Sequence, residues 1–247
     1  KISTGKIDSK FGLPKSNFLN FCKELKSFKN LKIKALSVHI GSQITSIEPY
    51  RKTLNVLLKI INLSKINFEY VDLGGGFGIS YKDRDRKINI RNYSKLVNEF
   101  KKKINCKIIF EPGRFIVGNA GTLISKIIFI KKNGNTSFII IDAGMNDFMR
   151  PALYNAKHDI VPVIKLRKKV ISNVEFVGPI CESTDTFIKY KNYSYIDENS
   201  FVAITNVGAY GSSLSSNYNT RPLVSEILIK KGKIKVIRKR QKISEII

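Results

Sequence analysis

A glycine-rich motif, Gly74-Gly75-Gly76-Phe77-Gly78, directly follows the apolar segment Phe68–Leu73. Successive glycines let a backbone approach an oxyanion closely and turn its N–H groups towards that ligand. The G-x-G-x-x-G spacing of dinucleotide sites is absent, and so is the lysine of a Walker motif. By itself, the motif is therefore compatible with a phosphate-binding loop and also with a tight turn that binds nothing.

A second motif, Glu111-Pro112-Gly113-Arg114, follows the apolar segment Lys107–Phe110. Gly113 and Arg114 could bind a phosphate while Glu111 faces a ring nitrogen, because guanidinium groups pair well with phosphate oxygens. A purely structural ion pair between Glu111 and Arg114 is the alternative.

A third motif, His39-Ile40-Gly41-Ser42-Gln43, ends the apolar segment Ile33–Ile40. A single histidine at the end of a strand is more often a packed, hydrogen-bonded residue than a catalytic one. In parallel barrels, however, the carboxyl ends of the strands form the face that carries the active site. Three polar or glycine-rich motifs at three strand ends therefore favour one shared crevice.

The segments that must position these motifs alternate between strand and helix patterns up to about residue 113. Helices are predicted at Pro14–Phe28, from an N-cap at Ser46 to about Asn62, and at Tyr93–Ile104. Strands are predicted at the three apolar segments that precede the motifs. Such repetition predicts a parallel sheet covered by helices.

After Arg114 the pattern changes to short strands separated by Gly, Asn and Pro, with few helices. This pattern predicts an all-β second domain, with residues 1–113 in the first domain and 114–247 in the second. The predicted strands are Thr122–Lys131, Ser137–Asp142, Ile160–Ile164, Asn173–Val177, Ser200–Ile204 and Ser225–Ile229.

The first domain is short for a complete barrel. A (β/α)₈ barrel takes about 250 residues and eight strand–helix units, whereas residues 1–113 hold about three units. Half a parallel barrel would also expose strand edges. The chain, which begins without Met, is therefore expected to be the C-terminal portion of a longer sequence.

Composition excludes several classes of protein. With 247 residues and 43% hydrophobic content, the chain can bury a sizeable core, unlike a disordered segment. No apolar run approaches the roughly 18–20 residues of a membrane span, and Lys1–Lys10 carries no apolar signal segment. The three cysteines fit no zinc or disulfide spacing, and the two histidines cannot supply the usual metal cluster. A reducing, cytoplasmic location without membrane contact is predicted.

The charge is strongly basic, with 44 Lys and Arg against 19 Asp and Glu, a formal +25. Binding to nucleic acid or another anionic surface is one interpretation. The cations are mostly lysines spread along the whole chain, only Arg238–Lys242 is dense, and no known nucleic-acid motif accompanies them. These facts favour a solvated basic surface that binds polyanions weakly and without specificity.

Five motifs together resemble the diaminopimelate decarboxylase family, which belongs to the fold-type III, alanine-racemase-like pyridoxal phosphate enzymes. The similarity runs from about Ser3 to Leu228, and the motifs occur in the family's order. They are Asp72–Tyr81, Glu111–Arg114, Asp142–His158, Gly178–Asp185 and Asn206–Pro222.

The resemblance implies a fold, a cofactor and a reaction. The fold would be α/β plus all-β: the C-terminal part of a (β/α)₈ TIM-like barrel that binds pyridoxal 5'-phosphate, followed by a β-barrel or β-sandwich domain. The reaction would be decarboxylation of meso-diaminopimelate to L-lysine and CO₂, in a homodimer whose subunits share each active site.

The resemblance also implies a role for individual residues in binding the cofactor. His39 would stack on the cofactor ring, Glu111 would bond the pyridine nitrogen, and Tyr210 would lie near the phosphate. A carboxylate at the ring nitrogen keeps it protonated and so improves the cofactor as an electron sink. The remaining phosphate-binding residues would be Ser42, Gly76, Gly113 and Arg114.

For the substrate, the resemblance implies that Cys181, from the neighbouring subunit, donates the proton that replaces CO₂. A buried, apolar role is the alternative for this thiol, and it is favoured for Cys22 and Cys106. Arg150 would pair with the distal carboxylate of the substrate and Glu182 with its distal ammonium. The substrate contacts implied are Arg114, Arg150, Tyr154, Glu182 and Tyr210.

One departure from the family is large. The lysine that binds the cofactor covalently lies in an A-x-K-A-N-type segment in the family, and no such segment occurs in this sequence. The chain alone is therefore expected to be inactive. Two alternatives remain open: another fold-type III decarboxylase of basic amino acids or polyamines, and a basic remnant that binds polyanions.

Overall fold

The computed structural model of the chain describes residues 10–81, 87–164 and 169–247. These residues fall into two units that divide after Ile116. Five α-helices, α1 to α5, and eleven strands, β1 to β11, occur within the described ranges.

The first unit alternates helices and strands, as the sequence predicts. Its strands form a parallel sheet in the order β1-β2-β3, with Leu36 opposite Val71 and Val71 opposite Ile108. The elements are α1 (Lys15–Glu24), β1 (Ala35–Ser37), α2 (Glu48–Ser64), β2 (Tyr70–Asp72), α3 (Ile90–Lys101) and β3 (Lys107–Ile109). The short α4 (Arg114–Val117) begins at Arg114.

Apolar side chains at helical spacing hold this unit together. In α2, Tyr50, Leu54 and Leu57 lie on one buried face, and full burial of such side chains stabilises a fold by roughly 1.5–3 kcal/mol each. The rings of Tyr50, Phe77 and Tyr93 pack against one another with centroids 4.9–5.3 Å apart. Burial raises the pKa of the Tyr93 hydroxyl to about 12.

The helix ends differ from the predictions. The prediction of Ser46 as an N-cap is wrong: Ile47 occupies that position, and no side chain caps α2. Pro49 lies in the first turn, where its missing N–H costs nothing. Helix α3 begins at Ile90, before the predicted Tyr93, because the Asn89 side chain accepts a hydrogen bond from the Asn92 N–H at 3.0 Å.

The other bounds in this unit are narrower than the sequence suggests. The helix predicted at Pro14–Phe28 is regular only over α1, and a 3₁₀ turn at Leu25–Ser27 completes it. Each of the three predicted strands forms, but only three residues of each pair in the sheet. The segments around these central residues belong to the connecting loops.

The second unit contains a mixed six-stranded sheet in the order β6-β9-β4-β5-β7-β8. Only β5 and β7 pair in parallel. The strands of this sheet are β4 (Leu123–Asn133), β5 (Thr136–Ile141), β6 (Ile160–Pro162), β7 (Val170–Val177), β8 (Thr186–Ser194) and β9 (Phe201–Ile204). A separate antiparallel hairpin consists of β10 (Glu226–Lys230) and β11 (Lys233–Arg238).

All six strands predicted for this unit are present with shifted ends, but two strands and one α-helix were not predicted. These are β8, β11 and the helix α5 (Arg150–Tyr154). Strand β8 interleaves lysine and asparagine with aromatic residues, and only its aromatic and aliphatic positions are buried or half-buried. The buried positions do not alternate strictly along the strand, so the sequence lacks the simple period of a half-buried strand.

Two tyrosines join the outermost strands of the six-stranded sheet into a nearly closed barrel. From β8, the Tyr190 hydroxyl accepts a bond from the Ile160 N–H at 2.8 Å, and the Tyr193 hydroxyl donates to the Ile160 carbonyl at 3.1 Å. Ile160 belongs to β6, at the opposite end of the strand order. The enclosed core includes Ile127, Ile139, Ile141, Phe176 and Ile204.

In the described ranges, no helix combines the length and the apolar content that crossing a membrane would require.

Candidate active site

The three motifs of the first unit lie side by side at the carboxyl ends of β1, β2 and β3. The Glu111 N–H donates to the Gly74 carbonyl at 2.8 Å. On the other side, the Gly75 N–H donates to Nδ1 of His39 at 3.4 Å. The structure therefore brings the glycine run into direct contact with both of the other motifs.

Backbone contacts between these loops explain two of the glycines. A Cβ atom at Gly75 would overlap the carbonyl oxygen of Glu111, and one at Gly76 would overlap the carbonyl oxygen of Gly41. Gly76 also has a φ of +87°, which side chains disfavour. Packing of the neighbouring loops thus requires glycine at both positions, whether or not a ligand is bound.

Gly113 is different, because the space where its Cβ would lie is open. Apart from its two chain neighbours, no atom of the described residues lies within 4 Å of that point, and Gly113 itself is exposed. The backbone at Gly113 is therefore accessible to an approaching ligand.

Arg114 lies at the start of α4 with its side chain directed to the same loops. Its guanidinium donates to the hydroxyl of Ser42 at 3.3 Å and to the hydroxyl of Tyr81. The residue is only 7% exposed. Ser42 follows Gly41, and Gly41 lies against Gly76. The Ser42 hydroxyl, the Arg114 guanidinium and the Gly76 backbone therefore lie close together. Glu111 itself is exposed at the end of β3.

Asp72, which the sequence analysis did not single out, supports the glycine run. One of its carboxylate oxygens accepts from the Gly74 N–H at 2.8 Å, and the other accepts from the Ser37 hydroxyl at 3.2 Å. The Tyr50 hydroxyl donates to the Gly75 carbonyl at 3.1 Å. The sequence feature that could have indicated Asp72 is an acidic residue inside an apolar strand, two positions before the first glycine.

In the second unit, α5 carries two of the predicted substrate-binding residues. Arg150, its first residue, is only 3% exposed, whereas Tyr154, its last, is at the surface. The guanidinium carbon of Arg150 lies 5.8 Å from the centre of the Tyr210 ring, a cation–π contact. Arg150 and Tyr210, which are distant in sequence, are therefore neighbours.

The predicted proton donor lies in the loop between β7 and β8. Cys181 is exposed, so the alternative of a buried, apolar role is wrong for this residue. Cys22 is buried and Cys106 is half-buried, and burial raises the pKa of both of those thiols. Glu182, next to Cys181, is also exposed.

Asp185 anchors the loop that carries Cys181 and Glu182. Its carboxylate accepts from the Ile180 N–H at 2.8 Å and from the Met145 N–H at 2.6 Å. The residue is 3% exposed, and burial raises its pKa although both N–H groups favour the charged form. The anchor fixes the loop against the segment that follows β5.

A second buried acid, Asp147, lies close by. Arg221 approaches it at 3.5 Å and also donates to the Asp142 carbonyl at 2.6 Å and to the Asn146 side chain at 3.0 Å. These residues lie in two of the motifs that resemble the family, although no role was predicted for them. The sequence feature that could have indicated them is the high density of polar residues in a segment that follows a buried strand.

Comparison with known proteins identifies the family. Residues 21–208 match the model of the pyridoxal-dependent decarboxylase C-terminal sheet domain. The chain belongs to this family. A diaminopimelate decarboxylase of Zymomonas mobilis is 40% identical over 100% of the chain and 59% of the relative. One from Aquifex aeolicus is 41% identical over 97% of the chain and 58% of the relative.

A solved structure of this family has the same fold. The diaminopimelate decarboxylase of Helicobacter pylori in complex with L-lysine superposes with a TM-score of 0.90 and 38% identity, over 99% of this chain and 61% of that one. The α/β plus all-β fold expected from the sequence is confirmed. The chain spans about three fifths of the length of these relatives.

The donor set of the first unit fits the phosphate of pyridoxal phosphate, on which the family depends. Ser42 offers a hydroxyl, Arg114 a fixed positive charge, and Gly76 and Gly113 a backbone with no side chain in the way. Guanidinium, hydroxyl and backbone N–H groups are the usual partners of phosphate oxygens in proteins.

Proposed function

We propose that this chain is the C-terminal part of a diaminopimelate decarboxylase, which converts meso-diaminopimelate to L-lysine and CO₂. The similarity to relatives of that name extends over the whole chain. The observation that carries the substrate assignment is the buried guanidinium of Arg150 under the Tyr210 ring. Such a group suits the carboxylate at the far end of diaminopimelate, which ornithine and the polyamines lack.

In this proposal, the residues up to Gly113 together with Arg114 hold the cofactor. Pyridoxal phosphate would supply an electron sink for the electron pair that remains on the substrate carbon when CO₂ departs. Glu111 would keep a proton at the pyridine nitrogen, and His39 would stack on the ring. The phosphate would be bound by Ser42, Gly76, Gly113 and Arg114, with Tyr210 close to it.

The β domain that follows, residues 114–247, contributes to substrate binding and protonation. Arg150 pairs with the distal carboxylate and Glu182 with the distal ammonium, so that both charges of the remote centre are bound. Cys181 delivers one proton from Sγ to the carbon that has lost CO₂. The substrate contacts are Arg114, Arg150, Tyr154, Glu182 and Tyr210.

The whole enzyme needs residues that this sequence does not contain. The relatives extend beyond the match, and the chain has no A-x-K-A-N-type segment for the lysine that holds the cofactor. A fusion protein tests the proposal. In it, this chain is joined to the segment of the Aquifex aeolicus relative that precedes the region similar to this chain. That segment without the chain is the control.

The fused protein is expected to retain the visible absorbance of bound pyridoxal phosphate after dialysis and to release CO₂ from meso-diaminopimelate. Ornithine should be a far poorer substrate, because it has no distal carboxylate for Arg150 to bind. Failure to retain the cofactor and to release CO₂ would contradict the proposal. Faster turnover of ornithine would favour the alternative decarboxylase.

We further propose a cytoplasmic homodimer in which Cys181 serves the active site of the partner subunit. Two variants of the fused protein test this arrangement: Glu111→Ala and Cys181→Ala. Each alone should be inactive, but a refolded mixture should regain about a quarter of the activity, because half of the dimers then contain one intact site. No recovery on mixing would show that each subunit supplies its own thiol.

A further inference from the structure

A buried histidine, His158, is hydrogen-bonded to the buried Arg150 in the second unit. Arg150 and His158 are 3% and 2% exposed. The Nε–H of Arg150 donates to Nε2 of His158 at 3.2 Å, and Nδ1 of His158 lies 3.0 Å from the Thr205 carbonyl oxygen. Phe148 packs edge-on against the imidazole, with ring centroids 4.6 Å apart.

These two contacts assign the tautomer of His158. A carbonyl oxygen only accepts hydrogen bonds, so Nδ1 must carry the hydrogen that Thr205 accepts. Nε2 then has a lone pair, which is what the Nε–H of Arg150 requires. A second proton on Nε2 would place two N–H donors face to face and two positive charges side by side. The geometry thus selects the neutral imidazole.

The histidine is itself attached to the sheet. The Thr205 N–H and the Thr205 hydroxyl both donate to the Asp159 carbonyl, at 2.9 and 3.2 Å. Ile160, the next residue, begins β6 and pairs with Ile204 of β9. His158 is therefore fixed by backbone bonds to two paired strands, and its orientation follows from the fold and not from a ligand.

We propose that His158 is a positioning residue for substrate recognition, an inference that rests on the function proposed above. By accepting from Nε, it orients the guanidinium so that the opposite edge, formed by Nη1 and Nη2, faces the distal carboxylate. A carboxylate binds that edge through two parallel hydrogen bonds. The bond to His158 fixes the plane of Arg150 without bringing a negative charge that would compete with the substrate.

The test uses two substitutions that keep different halves of the imidazole. His158→Gln can place an amide oxygen near the position of Nε2 and so keep an acceptor for Arg150. His158→Asn places its amide near Nδ1, which keeps the bond to Thr205 but removes the acceptor. The two variants are both neutral and polar, so they differ chiefly in the contact with Arg150.

The measurement is calorimetric binding of L-lysine, which retains the distal carboxylate, to the cofactor-loaded fused enzyme. His158→Asn should weaken L-lysine binding about tenfold, and His158→Gln by no more than about threefold, as one charge-assisted hydrogen bond predicts. The affinity for pyridoxal phosphate should stay unchanged in both. With diaminopimelate as substrate, His158→Asn should raise KM and leave kcat nearly unchanged.

Each outcome decides a different point. If the unsubstituted enzyme binds no L-lysine, the proposed function fails. If it binds L-lysine and His158→Asn binds equally well, or if both variants lose L-lysine and cofactor together, the positioning role is wrong. Should neither variant fold, nitrogen NMR of the unsubstituted enzyme decides: hydrogen on Nδ1 supports the proposal, and hydrogen on Nε2 overturns it.

Discussion

The candidate binding residues of the two units are held in place by different means. In the first unit, loops at the ends of three parallel strands meet backbone to backbone, with glycines at the points of closest approach. In the second unit, buried charged side chains do this work: Arg150 is held by His158, and Asp185 by two N–H groups. Close backbone contact, supported by hydrogen bonds from Asp72 and Tyr50, dominates the first arrangement, whereas buried side-chain hydrogen bonds dominate the second.

This difference predicts opposite sensitivities. A site formed by close backbone contact fails when atoms are added, because neighbouring main chains cannot move apart without breaking the sheet. A site formed by buried polar side chains fails when one partner is removed, since the other is left without its hydrogen bond in a place that water cannot reach. Substitutions in each unit can test this contrast.

The largest effect is expected at Gly75. Gly75→Ala places a methyl group inside the contact distance of the Glu111 carbonyl, so we expect a loss of about 3 kcal/mol in the free energy of unfolding. Gly113→Ala is the matched control, because the space beside it is open, and it should change stability by less than about 0.5 kcal/mol. Urea denaturation of the chain measures both, and equal effects would refute the backbone-contact account.

The next effect is expected at Asp185. Asp185→Asn leaves one oxygen for two N–H donors and turns an NH₂ group towards the second, which should cost about 2 kcal/mol at acidic pH. The exposed Asp197→Asn serves as the control and should change stability little. An unchanged stability in Asp185→Asn would show that the loop does not depend on this anchor.

The same variant should reveal a pH dependence. Burial raises the pKa of Asp185 in the folded chain, so the folded state holds this proton more tightly than the unfolded state. The stability it contributes is present below the ordinary aspartate pKa and is lost as the pH rises through the raised value. The stability difference between the unsubstituted chain and Asp185→Asn should therefore shrink as the pH rises above about 4, the ordinary aspartate pKa. A difference that grows with pH would contradict the direction of the shift.

A smaller effect is expected where the barrel closes. Tyr193→Phe removes the hydrogen bond to the Ile160 carbonyl and should cost about 1 kcal/mol in the free energy of unfolding.

The effect of Tyr193→Phe should also depend on pH. Burial raises the pKa of Tyr193, so the stability contributed by its neutral hydroxyl is lost as the pH rises above about 10. The variant should lose less stability than the unsubstituted chain in that range. The exposed Tyr218→Phe is the control, and identical behaviour of the two variants would mean that Tyr193 does not join the strands.

The smallest effect on stability is expected at Ser42. Ser42→Ala removes the hydroxyl that accepts a hydrogen bond from Arg114. It should change the free energy of unfolding by less than about 0.5 kcal/mol. In the fused enzyme it should nevertheless weaken pyridoxal phosphate binding about tenfold, as one hydrogen bond to a charged phosphate predicts. Ser46→Ala should alter neither quantity. Cofactor binding that is unaffected by Ser42→Ala would remove this hydroxyl from the phosphate site.

Local pattern sufficed to predict most of the fold. In α2 and α3, buried residues recur at helical spacing, and the helices appear where that spacing predicts them. The errors occur where tertiary contacts override a local sequence preference. Ser46 has the right residue type for an N-cap, but the helix begins after Ile47. Strand β8 lacks a continuous apolar run because lysines and an asparagine are interspersed among its apolar residues, although its tyrosines close the barrel.

The candidate site shows the same division. Residue type and position after a strand pointed to His39 and Glu111, whereas Arg150 and Cys181 were assigned a role only by the resemblance to the family. The supporting residues Asp72, His158 and Asp185 lie in the motifs that resemble the family but were assigned no role. Each acts through a hydrogen bond to a distant or looped segment, and nothing in the local sequence shows which donor will face it.

The sequence by itself determined the alternation of helices and strands, the change to an all-β pattern, and the residue types available for binding a phosphate and an amino acid. Those features depend on near neighbours along the chain. Only the tertiary structure decided that Gly75 touches Glu111, that Arg150 rests on His158, and that Tyr193 of β8 reaches Ile160 of β6. The first and the last of these contacts join segments far apart in sequence, and the second spans the turn after α5. Their distances exist only once the strands have paired.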